Sequence, residues 1–156
     1  TGLRVGIGTL RGLALAAGRP AVGVSTLAAM AGAMGAHGIR LAPILDAGRG
    51  EVYAAVYSGD DPPRLLGSEA VMPPSQLDAF LGAEPVLVFG PGVGRHRRSI
   101  EHSLAGGSRL IEWEAPLAAP AGRLALKLLD SGVLSHELPP TAVYIRRSDA
   151  RLPGRA

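Results

Sequence analysis

Along this chain, segments with the apolar period of a helix alternate with short apolar runs, and Gly or Pro cuts nearly every junction. That alternation constrains the fold more than any other feature, because it favours a layered α/β arrangement of helices packed on a sheet. Leu3, Ile7, Leu10, Ala14 and Ala17 recur at spacings of three and four and predict an amphipathic helix from Leu3 to Gly18. Gly18, Arg19 and Pro20 end it, since Gly suits the position past a helix and Pro cannot continue the ladder. Ala21 to Val24 reads as a short buried strand. Ser25 is a natural N-cap for a second helix carrying Leu27, Met30, Ala31 and Met34, closed by Gly35 and Gly38. Leu41 to Leu45 and Val52 to Tyr57 flank the turn-forming stretch Asp46 to Glu51 and predict a β-hairpin. Arg64 to Val71 is expected to add a third antiparallel strand, and Pro74 or Ser75 to open a short helix through Leu81. Pro85 to Phe89 is a further strand, followed by Gly90 to Gly94 and a helix to Leu104; Leu110 to Trp113 is a last short strand. Pro120 to Leu129 forms the final helix, with Ala121, Leu124, Ala125 and Leu128 on one face; Ala142 to Ile145 is extended, and a flexible tail begins at Ser148.

Composition bounds what such a chain can do. Its 156 residues, 47% apolar and 19% charged, are enough to bury a core. No apolar run reaches the roughly 18 to 20 residues that span a bilayer, and no secretory leader is read at the start. Without cysteine there is no disulfide framework, no Cys-ligated zinc and no thiol nucleophile. A formal charge of +3 comes almost wholly from Arg, Lys127 being the only lysine. Two groupings stand out: Arg95, His96, Arg97 and Arg98, and Arg146, Arg147, Arg151 and Arg155. They suit a nucleic-acid surface, or equally a solvated helix face and a frayed tail.

Candidate chemistry is sparse. Gly90 to Gly94 stands where a phosphate loop would, between a strand and a helix, yet it lacks the Lys-Ser/Thr of a Walker loop and the full G-x-G-x-x-G pattern. A tight strand-to-helix turn needs glycine in any case. His37, His96, His102 and His136 offer no pair at spacing four on a helix, and no G-x-S-x-G elbow exists. Asp46 and Glu51 could serve as a carboxylate pair for acid/base work, or could close the turn, with Glu51 paired to Arg49. Gly8, Gly12 and Ala16 form a stripe of small residues on the first helix. Several glycines cost a helix about 1 kcal/mol each, so close approach is the physical reason for them. Spacing alone allows either another chain's helix or this protein's own sheet as the neighbour.

Three stretches resemble one family, in order. The opening Thr1 to Gly8, through Gly12-Leu13-Ala14-Leu15 to Val22-Gly23-Val24-Ser25-Thr26-Leu27, is similar to the motif that follows a G-P-G-S-F loop in the TsaB (YeaZ) family. Asp46 to Tyr53, D-A-G-R-G-E-V-Y, resembles that family's D-A-R-x-G-E-V-Y hairpin, with Asp46, Arg49, Gly50, Glu51 and Tyr53 in the motif. Val143-Tyr144-Ile145-Arg146 resembles its closing P-x-Y-L-R. Gly48 stands where the family usually has Arg, Ala142 where it often has Pro, and the G-P-G-S-F loop does not appear.

The resemblance implies an actin-like ASKHA (ribonuclease H-like) α/β fold in which the first strands of the N-terminal lobe are missing through truncation. Residues 1–40 would be the remainder of that lobe, 41–147 the C-terminal lobe and 148–156 a tail. It further implies a non-catalytic, cytoplasmic scaffold without cofactor. Such a scaffold would pair with the TsaD-type catalytic paralogue, joined by the TsaE ATPase, for threonylcarbamoylation of adenosine 37 in tRNA. Arg4, Ile7, Gly8, Arg11, Gly12 and Ala16 would supply the partner surface, which could also support a homodimer. Arg95, Arg97 and Arg98 are candidates for tRNA contact. The alternative is an ASKHA-type nucleotide-dependent enzyme or a metallopeptidase-like protein.

Overall fold

Apolar runs of four to five residues can be buried only if both faces of their sheet are covered, and the computed structural model, which describes residues 2–35, 38–102, 104–134 and 140–146, meets that condition. Strands β1 (Arg40–Gly48), β2 (Glu51–Ala54), β3 (Ala70–Met72), β4 (Val86–Phe89) and β5 (Arg109–Ile111) form one five-stranded sheet in the order β3-β2-β1-β4-β5. The first three pair antiparallel, and β4 and β5 then add parallel to β1. This is the strand arrangement of a ribonuclease H-like sheet, as the sequence resemblance implies. Even-numbered Ala42 and Ile44 of β1 join Val52, Ala54, Val86 and Val88 beneath α3 (Leu77–Leu81) and α4 (Pro91–Glu101), which contribute Leu77, Leu81, Val93 and Ile100. Leu41, Leu87 and Phe89 point to the other face, where α2 (Thr26–Met34) seats Leu27, Met30 and Ala31. Helix α5 (Ala118–Asp130) packs behind α2, with Leu124 against Gly32.

Local signals hold at most junctions. The Ser25 hydroxyl accepts the N–H groups of Leu27 at 3.1 Å and Ala28 at 3.4 Å, a cap that stabilises α2 by about 1 kcal/mol. At the hairpin, Arg49 and Gly50 both have positive φ, 56° and 78°, the geometry of a two-residue turn whose twist matches the flanking strands. Three expectations need correction. Ala21 to Val24 is not a strand: among the described residues no neighbouring strand exchanges hydrogen bonds with it, and a strand exists only through its ladder. The third antiparallel strand is confined to Ala70–Met72, with Leu65 bridging Tyr57 alone, because the intervening residues from Leu66 to Ser68 are exposed. Helix α4 ends at Glu101, short of Leu104. No helix among the described residues is long and apolar enough to cross a membrane. The tail from Ser148 onward, His37, His136, Arg147, Arg151 and Arg155 lie outside the described residues.

Candidate functional site

Helix α1 (Gly2–Ala16) differs from the other described helices in having no buried residue. Its two faces differ. Leu3, Ile7 and Leu10 look across an apolar cavity of about 510 Å³, whose far walls are Val22 to Leu27, Leu45, Tyr53 and residues 140–146. On the opposite side, a Cβ built on Gly8 or Gly12 would meet nothing within 4 Å, and Val5 and Leu15 are 62% and 85% exposed. Among the described residues, nothing packs against the Gly8–Gly12 side of α1.

Arg4 and Arg11 stand at the border of the two faces and are committed inward. Arg4 Nε donates to the Tyr144 hydroxyl at 2.7 Å, with the guanidinium 5.3 Å from the ring centroid. Arg11 donates to the Pro140 carbonyl at 2.8 Å. Two residues beyond Tyr144, Arg146 pairs with Glu51 of the hairpin. Glu51 thus has a partner 95 positions away, one that local reasoning does not supply. All three stretches that carry the family resemblance meet here.

The other carboxylate of the hairpin faces α4. Asp46 Oδ1 accepts the Gly48 N–H at 3.1 Å, closing the turn, and lies 3.2 Å from His96 Nε2. Its Oδ2 accepts from Arg95 at 2.6 Å. The His96 bond, the Gly48 amide and then the Arg95 charge hold the Asp46 carboxyl below its ordinary value of 3.8, despite some opposing desolvation. With Asp46 and Glu51 each neutralised by a separate cation, the hairpin offers no carboxylate pair for acid/base work. The depressed value has a consequence for stability. Asp46 contributes stability that is present above its unfolded value and lost as pH falls through the lower folded value. Asp46→Asn should lower stability at neutral pH and converge on the wild type as pH falls below about 4, so that its acid limb is flatter, as pH-resolved denaturation would show.

Of the remaining candidates, Arg97 bridges Glu101 at 3.1 Å and Glu112 at 3.7 Å, while Arg98 is exposed. Arg95 and Arg97 thus have their charge largely answered by neighbouring acids. Gly90, at φ 127°, begins α4, but its hydrogen faces Ile44 and Met30, where a Cβ would come within 2.5 Å of the Ile44 carbonyl oxygen. A Cβ on Gly92 would likewise stand 2.9 Å from the Ile44 side chain and the Leu45 backbone. These glycines are needed for the helix to lie on β1, which leaves no phosphate cradle at that face of the loop. One further group had no signal in the sequence: the buried Tyr57 hydroxyl donates to Glu69 at 3.0 Å, and the Ser25 hydroxyl donates to the same carboxylate oxygen. Burial first, and the Glu69 charge second, raise the Tyr57 pKa. That network fastens the start of α2 to the segment entering β3. Among the described residues, no group of three His, Asp or Glu side chains converges as metal ligands would.

Sheet order and covering layers define an actin-like, ribonuclease H-like α/β protein, with one exposed helix strapped across it. Comparison with known proteins makes the assignment narrower. A Pseudomonas aeruginosa structure described as similar to peptidase YeaZ superposes with a TM-score of 0.73 at 31% identity, over 94% of this chain and 68% of that one. A structure of YeaZ from Pseudomonas aeruginosa matches with a TM-score of 0.65 at 31% identity, covering 92% and 68%. The tRNA threonylcarbamoyladenosine biosynthesis protein TsaB of Escherichia coli (strain K12) is 47% identical over 78 residues, 47% of this chain and 34% of that protein. This stretch spans about a third of the curated relative. The family model for TsaD, tRNA N6-adenosine threonylcarbamoyltransferase, matches residues 1–77. The chain belongs to the TsaB (YeaZ) family.

Proposed function

We propose that this protein is a non-catalytic scaffold subunit in the synthesis of threonylcarbamoyladenosine in tRNA. It pairs with a TsaD-type catalytic paralogue, alongside the TsaE ATPase, in the cytoplasm. On this reading tRNA is reached through the complex, and residues up to about 40 belong to the lobe that meets the partner. One observation carries the pairing: the outer face of α1, with Gly8, Gly12 and Ala16 open between exposed Val5 and Leu15, is an apolar surface that lets a second helix approach closely. The name of the Escherichia coli relative, a tRNA threonylcarbamoyladenosine biosynthesis protein, supports the pathway. The non-catalytic role is supported by the histidines, which offer no pair at helical spacing, and by the commitment of His96 to Asp46.

The surface is narrower than the sequence suggests. Arg4, Ile7 and Arg11 turn toward the chain's own residues, so contact should centre on the Gly8–Gly12 side. Gly12→Leu in the intact protein should weaken binding to the TsaD-type partner by about 2 kcal/mol, roughly 30-fold, through overpacking at a close helix crossing. Its effect on the protein's own stability should be small, because the new side chain meets open space. Titration calorimetry and a denaturation curve on the same variant check both halves; unchanged affinity would reject this face.

A further inference from the structure

We propose that Tyr57 sets the first turn of α2 from the sheet through a relay of hydroxyl groups, with Glu69 as the shared acceptor and Ser25 as the last link. Three separate segments meet in it. Tyr57 is held on the sheet by its backbone, which exchanges hydrogen bonds with Leu41 at 2.7 and 2.9 Å and also bridges Leu65. The residue is 3% exposed and packs in the cluster that includes Leu27 of α2. Glu69 directly precedes β3, and Ser25 directly precedes α2. One carboxylate oxygen, Glu69 Oε1, therefore joins residues 12 and 44 positions away from it.

Donors and lone pairs give the relay its direction. A serine hydroxyl has one hydrogen to donate and two lone pairs with which to accept. Ser25 uses all three: its hydrogen goes to Glu69, and its oxygen accepts the Leu27 N–H at 3.1 Å and the Ala28 N–H at 3.4 Å. Those amides lie in the first turn of α2, where the helix itself supplies no acceptor. Turned toward Glu69, the hydroxyl leaves both lone pairs to the amides; turned toward the helix, its hydrogen would displace one of them. An ionised carboxylate suits this post, because it only accepts and presents no hydrogen to either hydroxyl. Its charge also makes both bonds stronger than neutral ones. Tyr57 donates to the same oxygen at 3.0 Å and so ties the carboxylate to the sheet. Neither amide bonds to Tyr57, yet Tyr57 holds the carboxylate that orients their cap. It is a positioning residue for α2.

Hydrogen exchange of the Leu27 and Ala28 amides in the intact protein, followed by NMR, tests the relay. Ser25→Ala should speed both by about five-fold, the measure of a lost cap. Tyr57→Phe keeps the ring and removes only the hydroxyl; it should speed the same two amides by about two- to three-fold. In the Ser25→Ala background the same change should add nothing, because the last link is already gone. Glu69→Ala should act as Ser25→Ala does, whereas Glu69→Gln, which keeps a carbonyl acceptor, should recover most of the protection. Amides of β4 and α4 should exchange as in the wild type throughout. Unchanged exchange of Leu27 and Ala28 in Tyr57→Phe overturns the proposal. An equal effect of Tyr57→Phe with and without Ser25 also overturns it, since a general loosening of the core would act in both. So does faster exchange spread evenly to β4 and α4, or a Gln at position 69 no better than Ala.

Discussion

Gly90→Val should destabilise the protein by about 4 kcal/mol, combining backbone strain and overpacking of about 1 to 3 kcal/mol each. The residue holds φ at 127°, where side chains other than hydrogen are strained. Its missing Cβ would also fall 2.5 Å from the Ile44 carbonyl oxygen and 2.6 Å from Met30 Cε. The first of these is backbone at the centre of β1 and cannot give way cheaply. Gly67 is the control, because its φ of 113° is similar but a Cβ there would meet nothing within 4 Å. Gly67→Val should therefore show the strain alone, about half the loss. Denaturant midpoints at equal slope decide the matter. Equal losses at the two positions would refute close approach to β1 as the reason for Gly90, and would reopen the phosphate-loop reading of Gly90 to Gly94.

Phe89→Ala should cost a similar amount, about 3 to 5 kcal/mol, through loss of transfer energy and the cavity left behind. Phe89 has no exposed surface and sits at the end of β4 in the cluster formed with α2, its ring edge-on to Trp113 at 5.7 Å and 81°. Geometry of this kind adds about 0.5 to 1.5 kcal/mol beyond buried area. Because Trp113 is the only tryptophan, its fluorescence reports on this contact without ambiguity. A fall in the unfolding midpoint together with altered native emission is expected. A stability loss below about 1 kcal/mol would mean that the face between α2 and the sheet is not the tightly packed core described.

Particular elements show how much of this was legible in the sequence. The period of α1, the cap at Ser25, the turn at Arg49-Gly50 and the apolar run into Gly90 are local signals, written within a few residues, and each reappears in the fold. Ala21 to Val24 failed because an apolar run is only half of a strand; the other half is a neighbour, which short-range pattern does not contain. Glu51 was legible only in part. Its ion pair with Arg146 lies 95 positions away, and no short-range pattern contains it. Asp46 was half legible: its closure of the turn on Gly48 is local, whereas its bonds to Arg95 and His96 cross about 50 positions.

By itself, then, the sequence determined the layered α/β class, the order of helices and most strands, and three motifs pointing to one family. Periodicity and capping are properties of contiguous residues, and they need no tertiary information to act. Only the tertiary structure decided which carboxylates were already neutralised, that the glycines after β4 serve packing on β1, and that the Gly8–Gly12 side of α1 is left open. It also brought the three motifs to one place, through Arg4 on Tyr144 and Arg146 on Glu51. Such pairings depend on distances between residues far apart in the chain, and those distances are set only when the sheet and its covering helices have packed.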